Sequence, residues 1–176
     1  MIFFGREFNS AWSEPHFHEL HTELETYDNL GKLKRYKQPG RILNIGGVPN
    51  TPGIYLIRDI YKTNIYVGQT EKQGIRTRLS QHLNAQGSKG LKRGILYEIR
   101  WAETYGLEIE KIAEAVAVVF FQPKQNPGND WKGNLRKALQ NDLEHVVIAE
   151  AKRLGFLRGS GSEKERFMAK LLEISR

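Results

Sequence analysis

Two apolar runs, Ile54–Ile57 and Ile65–Val67, flank a short break in "GIYLIRDIYKTNIYVGQT", Gly53 to Thr70. Period-two patterning on both sides of so short a break predicts a β-hairpin. Ile54, Leu56, Ile65 and Val67 then share one face of the ribbon, and Tyr55, Ile57, Tyr66 and Gly68 share the other. A turn centred within Asp59–Asn64 sets Tyr66 opposite or diagonal to Tyr55. Gly53 and Gly68 leave the strand surface bare beside each ring, which lets a ligand approach. Such a ribbon is either a half-buried sheet whose tyrosines pack, or the floor of a site.

Downstream the period lengthens. In "GIRTRLSQHLNAQ" the stripe Ile75, Leu79 and Leu83 predicts a short helix docked on the sheet. Arg78 and His82 form a second i, i+4 pair about 100° round that helix, at the rim where helix meets sheet. "ILYEIRWAE", Ile95–Glu103, predicts a third strand. "LEIEKIAEAVAVVFFQ", Leu107–Gln122, predicts a helix that is apolar nearly all round after Glu114, and therefore buried. Glu114 opens that stretch, at a wall of the core. A carboxylate there needs a cation, a metal or several donors, or it stays protonated; the alternative is an outer face. "QPKQNPGND" ends the helix and holds Asn126 in a constrained turn between Pro123 and Pro127.

The flanks read as helical. Residues 14–29 predict a helix capped by Ser13, and "QPGRILNIGGVPNTPG" is a Gly- and Pro-rich boundary. "LRKALQNDLEHVVIAEAKRLG" and "SEKERFMAKLLEIS" predict two amphipathic helices joined by "GSGS", with Leu135, Leu139, Leu143, Val146 and Val147 inward in the first. The expected fold is α/β (α+β): a small, mainly antiparallel three-stranded sheet flanked by helices, with N- and C-terminal helical extensions. The segments are 1–50, a helical and basic arm; 51–130, the central unit; and 131–176, a helical extension packed on the core.

Composition narrows the chemistry. A chain of 176 residues buries roughly two-thirds or more of its unfolded surface and needs no staples. It contains no cysteine, which removes disulfides, thiol nucleophiles and cysteine-ligated zinc. "HFHELH" offers His16, His18 and His21, but not the HExxH spacing that sets two metal ligands on one helical face; a polar helix edge is expected. "MIFFGREFNSAW" has no long apolar run, so neither a signal peptide nor a membrane anchor is expected there, and a soluble, cytoplasmic protein follows. The net charge of +7 suits a polyanionic partner. Residues 1–50 are neutral as a whole, so the excess lies in the middle and C-terminal segments. "KLKRYK", "GSKGLKRG" and "WKGNLRK" supply candidate DNA contacts in Lys34, Arg35, Lys89, Lys92, Arg93, Lys132 and Arg136.

Gly-Ile-Tyr at 53–55, Tyr-Val-Gly eleven residues on, Arg78 and His82 four apart, then Glu114 and Asn126 together resemble the GIY-YIG nuclease superfamily. The resemblance runs from residue 53 to about 130. It implies that Glu114 is the family's single metal-ligating carboxylate, which would answer its burial. It implies that Arg78 stabilises charge on the scissile phosphate, that Tyr55 helps deprotonate the attacking water, and that Tyr66 is its partner at the phosphate. His82 fills a slot held by His or Tyr, and Asn126 resembles a residue that ties the site's backbone together. One departure is Gln69, where several relatives carry lysine.

Hydrolysis of a phosphodiester needs an activated water, a stabilised transition state and a neutralised leaving oxygen. One carboxylate suits one Mg²⁺ or Mn²⁺ completed by water, and an arginine fork suits phosphate oxygens. The expected protein is a metal-dependent endonuclease acting on double-stranded DNA. The chain is too short for the excision-repair subunit's further domains, and it shows no extended linker of the homing-enzyme kind. A compact restriction-type enzyme is left, with a structure-selective or mobile-element nuclease as the alternative. An inert GIY-YIG DNA-binding module and a protein-interaction domain are the non-enzymatic readings. Cutting both strands with one site per chain requires acting twice or a homodimer, for which the C-terminal helical stripes offer a seam.

Overall fold

A computed structural model of the chain describes residues 11–19, 24–27, 33–36, 47–84, 96–104, 109–126, 130–157 and 161–175. In chain order these form β1 (His16–Glu19), β2 (Leu24–Tyr27), β3 (Leu33–Tyr36), β4 (Gly53–Asp59), β5 (Asn64–Thr70), α1 (Ile75–Asn84), β6 (Leu96–Glu103), α2 (Glu110–Phe121), α3 (Asp130–Gln140), α4 (Glu144–Arg153) and α5 (Gly161–Ser175).

Four strands build one sheet in the order β1-β6-β4-β5, each neighbouring pair antiparallel. Strand β4 lies inside it with both faces covered, which is why Ile54–Ile57 reads as a continuous apolar run. One face carries Ile54, Leu56 and Val67 against Ala113 and Val116 of α2. The same core continues through Leu135 of α3, Val147 of α4 and Leu171 of α5. The other face carries Tyr55, Ile57 and Tyr66 with Tyr97, Ile99 and Trp101 of β6, covered by Ile75 and Leu79 of α1. A fully buried Ile or Leu contributes about 1.5–3 kcal/mol, so these two residues anchor a helix that is otherwise mostly polar. Trp12 fastens the N-terminal stretch to this frame: its Nε1–H donates to the Leu154 carbonyl at 3.2 Å, and its ring meets Phe121 edge-on at 5.4 Å. The expected antiparallel core β5-β4-β6 with helices on its flanks is present.

Three local expectations fail. Residues 16–19 and 24–27, expected within a helix, are strands. Without β1 the outer edge of β6 would expose a row of unpaired backbone groups; pairing His16 with Ile99 through Glu19 with Leu96 satisfies them. Short helices are marginal in water, so the local preference of "HFHELH" yields to that edge. His16 and His18 therefore stand in a strand, while His21 lies outside the described residues. Strands β2 and β3 form a separate two-stranded ribbon.

The long helix expected from Leu135 onward is broken into α3 and α4 by a turn in which Asp142 takes φ 56°. At about 1.5 Å per residue, an unbroken helix would outrun α2, which has 12 residues. Folding back keeps Leu135 and Val147 on one core. Ile65, expected beside Val67, packs with the tyrosine face instead. Register slips between Ile57, opposite Tyr66, and Arg58, opposite Asn64, so Ile65 is the extra residue of a β-bulge.

The β4–β5 tip is tightly held. Lys62 N–H donates to the Asp59 carbonyl at 2.9 Å, and Asp59 N–H donates to the Thr63 carbonyl at 3.1 Å. The Asp59 carboxylate accepts from the N–H groups of Tyr61 (2.9 Å) and Thr63 (2.8 Å). Lys62 adopts φ 60°, the left-handed slot that glycine usually takes in such loops; a residue with a Cβ there costs roughly 1–2 kcal/mol. Among the described residues no helix is long and apolar enough to cross a membrane.

Candidate active site

The β-hairpin and α1 together bring three rings into a triangle. Centroids lie 6.0 Å apart for Tyr55 and Tyr66, 5.8 Å for Tyr55 and His82, and 5.4 Å for Tyr66 and His82. The hairpin register sets the first pair diagonally, since Tyr55 faces Gly68 and Tyr66 faces Ile57. Helical spacing sets the third ring, because His82 sits one turn beyond Arg78 and close to Leu79. His82 was expected at the rim, and it is buried under α1 instead. Arg78 is half-buried and stays nearer the rim.

The two glycines act differently from the expectation. A Cβ on Gly68 would overlap the Tyr55 ring carbon Cζ and hydroxyl, and would reach within 2.7 Å of Tyr66 Cε1. A Cβ on Gly53 would overlap the Ala102 carbonyl oxygen and lie 2.8 Å from Ile75 Cδ1. The bare strand surface is thus filled by the protein's own rings and backbone rather than left open to a ligand.

Burial lifts the Tyr55 phenol well above its ordinary value, helped by Tyr66 and by the Glu114 carboxylate, while the Arg78 guanidinium pulls the other way. Tyr66 is lifted too, first by burial and then by Glu114, again against Arg78. The Tyr55 hydroxyl is buried and makes no hydrogen bond of full geometry; Arg78 acts on it by charge and proximity. Glu114 is half-buried on α2, a helix that packs along β5 as well as beneath the sheet. Arg78 of α1 and Glu114 of α2 therefore bear on the same pair of hydroxyls, those of Tyr55 on β4 and Tyr66 on β5.

This arrangement has a consequence for stability. An acid whose value is raised by folding keeps its proton where the unfolded chain has lost it, so stability is whole below about pH 10 and is lost as pH climbs through the raised folded values. We expect the thermal midpoint to fall as pH rises above about 10, and Tyr55→Phe to flatten that fall. An identical fall in the variant would place its cause elsewhere.

Beside Arg78 the surface opens into a depression of about 400 Å³ lined by Gln69, Thr70, Glu71, Lys72 and Gln73. Arg78 is steadied there by a chain of amides: its Nη1 donates to Gln81 Oε1 at 3.2 Å, and Gln81 Nε2 donates to Gln73 Oε1 at 3.0 Å. Lys111 of α2 reaches Glu71 at 3.2 Å across the same rim, both side chains largely exposed. Sequence reading missed Gln73, Gln81 and Lys111. Only Lys111 left a signal, three positions before Glu114 and so on its side of the helix.

The outer edge of β5 is closed by the chain leaving α2. Lys124 N–H donates to the Asn64 carbonyl at 3.0 Å, and Gln125 N–H to the Ile65 carbonyl at 2.9 Å. Asn126 continues the pairing with its side chain, Nδ2 donating to the Val67 carbonyl at 2.8 Å and Oδ1 accepting from Val67 N–H at 2.9 Å. Its amide so replaces one strand position beside Tyr66.

Of the expected DNA-contacting residues, the structure describes the side chains of Lys132 and Arg136. Lys132 and Arg136 stand on α3, which joins α2 on the other face of the sheet. Lys34 and Arg35 belong to β3, and Lys89, Lys92 and Arg93 lie outside the described residues. Among the described residues no three His, Asp or Glu side chains cluster as a metal site. One partly exposed carboxylate acting on two protonated phenols still fits a hard divalent ion, of the kind bound through one or two carboxylates plus substrate phosphates.

Residues 51–116 match the family model described as the GIY-YIG catalytic domain. That span takes in both tyrosines, Arg78, His82 and Glu114, and ends before Asn126. No curated protein and no solved structure matches the chain.

Proposed function

We propose, with the GIY-YIG catalytic domain matched at residues 51–116 as the premise, that this protein is a divalent-metal-dependent DNA endonuclease. The observation that carries the reading is convergence. Glu114 and Arg78, far apart in sequence, push the same two phenols in opposite directions.

Glu114 would hold the ion, Mg²⁺ or Mn²⁺, with water and a phosphate oxygen completing its shell. When bound, such an ion supplies Lewis-acid charge at the scissile phosphate and acidifies water. Arg78 presents its fork to the non-bridging phosphate oxygens, where charge grows in the transition state. Both phenols start protonated, because burial and Glu114 favour the neutral form. With the charge of Glu114 matched, it would no longer hold those protons in place, and Arg78 would be left favouring a phenolate. Tyr66, the less deeply buried of the two, would then release its own proton to solvent and, as the phenolate, take one from the attacking water, with Tyr55 and His82 behind it. Gln69, in the slot where relatives carry lysine, donates or accepts a hydrogen bond without supplying charge.

A restriction-type enzyme is the biological role we favour, since α3 to α5 and β1 add elements around the central unit. The test is incubation of supercoiled plasmid DNA with the full chain and Mg²⁺ or Mn²⁺. Cleavage abolished by a chelator supports the nuclease reading, and retained DNA binding without cleavage under any divalent ion contradicts it. Ends that share one sequence support restriction; ends gathered at branched or nicked DNA instead support a structure-selective enzyme.

A further inference from the structure

Three large apolar side chains stand exposed among the described residues: Ile60 at 53%, Tyr61 at 84% and Leu172 at 47%. Single exposed apolar residues are ordinary, but two of these are neighbours at the β4–β5 tip. A second, independent departure sits beside them. Lys62 occupies the left-handed position of the loop at φ 60°, where glycine would fit without strain. The chain keeps a cation there against its backbone preference, and such departures concentrate at functional positions.

The tip is also built to hold a fixed shape. The carboxylate of Asp59 is engaged by two backbone N–H groups, and Arg58 Nη2 donates to the Lys62 carbonyl at 3.0 Å. A second exposed cation, Lys124, stands at the base, its N–H bonded to the Asn64 carbonyl. A rigid aromatic tip between two cations suits a polyanion that carries flat rings.

We propose that Ile60, Tyr61 and Lys62 form a finger that grips duplex DNA away from the reacting centre. Lys62 meets a backbone phosphate, and the Tyr61 ring lies against sugars or bases of the adjoining groove. At about 3.3 Å per strand residue, the two steps from Ile57, which faces Tyr66, to Asp59 and the short turn beyond put the finger roughly 10 Å from Tyr66. With about 3.4 Å per base pair, its contact falls about three base pairs from the cut. The inference rests on the nuclease reading, and the experiment separates the two.

Binding of the full chain to a fluorescent duplex is measured by anisotropy in a chelator, over a range of KCl concentrations. Tyr61→Ala should weaken binding roughly tenfold, as when one aromatic anchor of an interface is truncated. Tyr61→Trp should restore it. Lys62→Gly should flatten the log–log salt slope by about 0.9, one phosphate contact, while its thermal midpoint stays level or rises. Wild-type affinity and slope in Tyr61→Ala and Lys62→Gly would overturn the finger and leave the nuclease reading standing. Failure of the unmodified chain to bind duplex DNA at all would overturn both.

Discussion

Replacing Glu114 by alanine should abolish cleavage while leaving the fold and DNA binding in place. A bound Lewis acid is worth several kcal/mol at the phosphate, and at 1.36 kcal/mol per tenfold its loss should slow cutting by roughly a thousandfold or more. The fold should tolerate the change, because Glu114 is only half-buried and alanine is the best helix former. DNA affinity should hold or rise, since an anion leaves the neighbourhood of the phosphate. A second readout belongs to the geometry alone: without Glu114 both phenols lose a neighbour that raises them, so the last tyrosines to ionise should do so at lower pH. Full activity in this variant would mean that another carboxylate does the work.

Arg78→Ala should slow cutting by about a hundredfold to a thousandfold, the range seen when one well-placed donor to developing charge is removed. Single-turnover cleavage at saturating DNA is the measurement that isolates this step from binding. Arg78→Lys should recover only part of the rate, because a point charge replaces a planar fork. The phenols should move opposite to their shift in Glu114→Ala, since Arg78 is the group that lowers them. A loss below tenfold would reduce Arg78 to a surface residue steadied by Gln81.

Most of the candidate site was legible because local rules and tertiary structure agree there. The hairpin pattern placed Tyr55 and Tyr66 together, and i, i+4 spacing placed Arg78 and His82 on one helix. What escaped reading depends on partners distant in the chain. Strand β1 exists because β6 has an edge to fill, and nothing within "HFHE" announces that edge. The crowding at Gly68 comes from rings at two other positions, so bare strand looked like room for a ligand. Ile65 changes face through a bulge that no alternation pattern reveals. The Asn126 clamp on Val67 joins residues 59 positions apart, although its constrained turn was visible between two prolines.

One measurement bears most directly on whether Glu114 holds a cation beside Arg78 and the two phenols. Mn²⁺ added to the isotope-labelled full chain broadens the resonances of protons near its binding site. The expected result is selective broadening of the Tyr55, Tyr66 and His82 ring signals at low Mn²⁺, lost in Glu114→Ala. Broadening that spares those rings, or persists unchanged in the variant, would contradict a metal-centred site at this position.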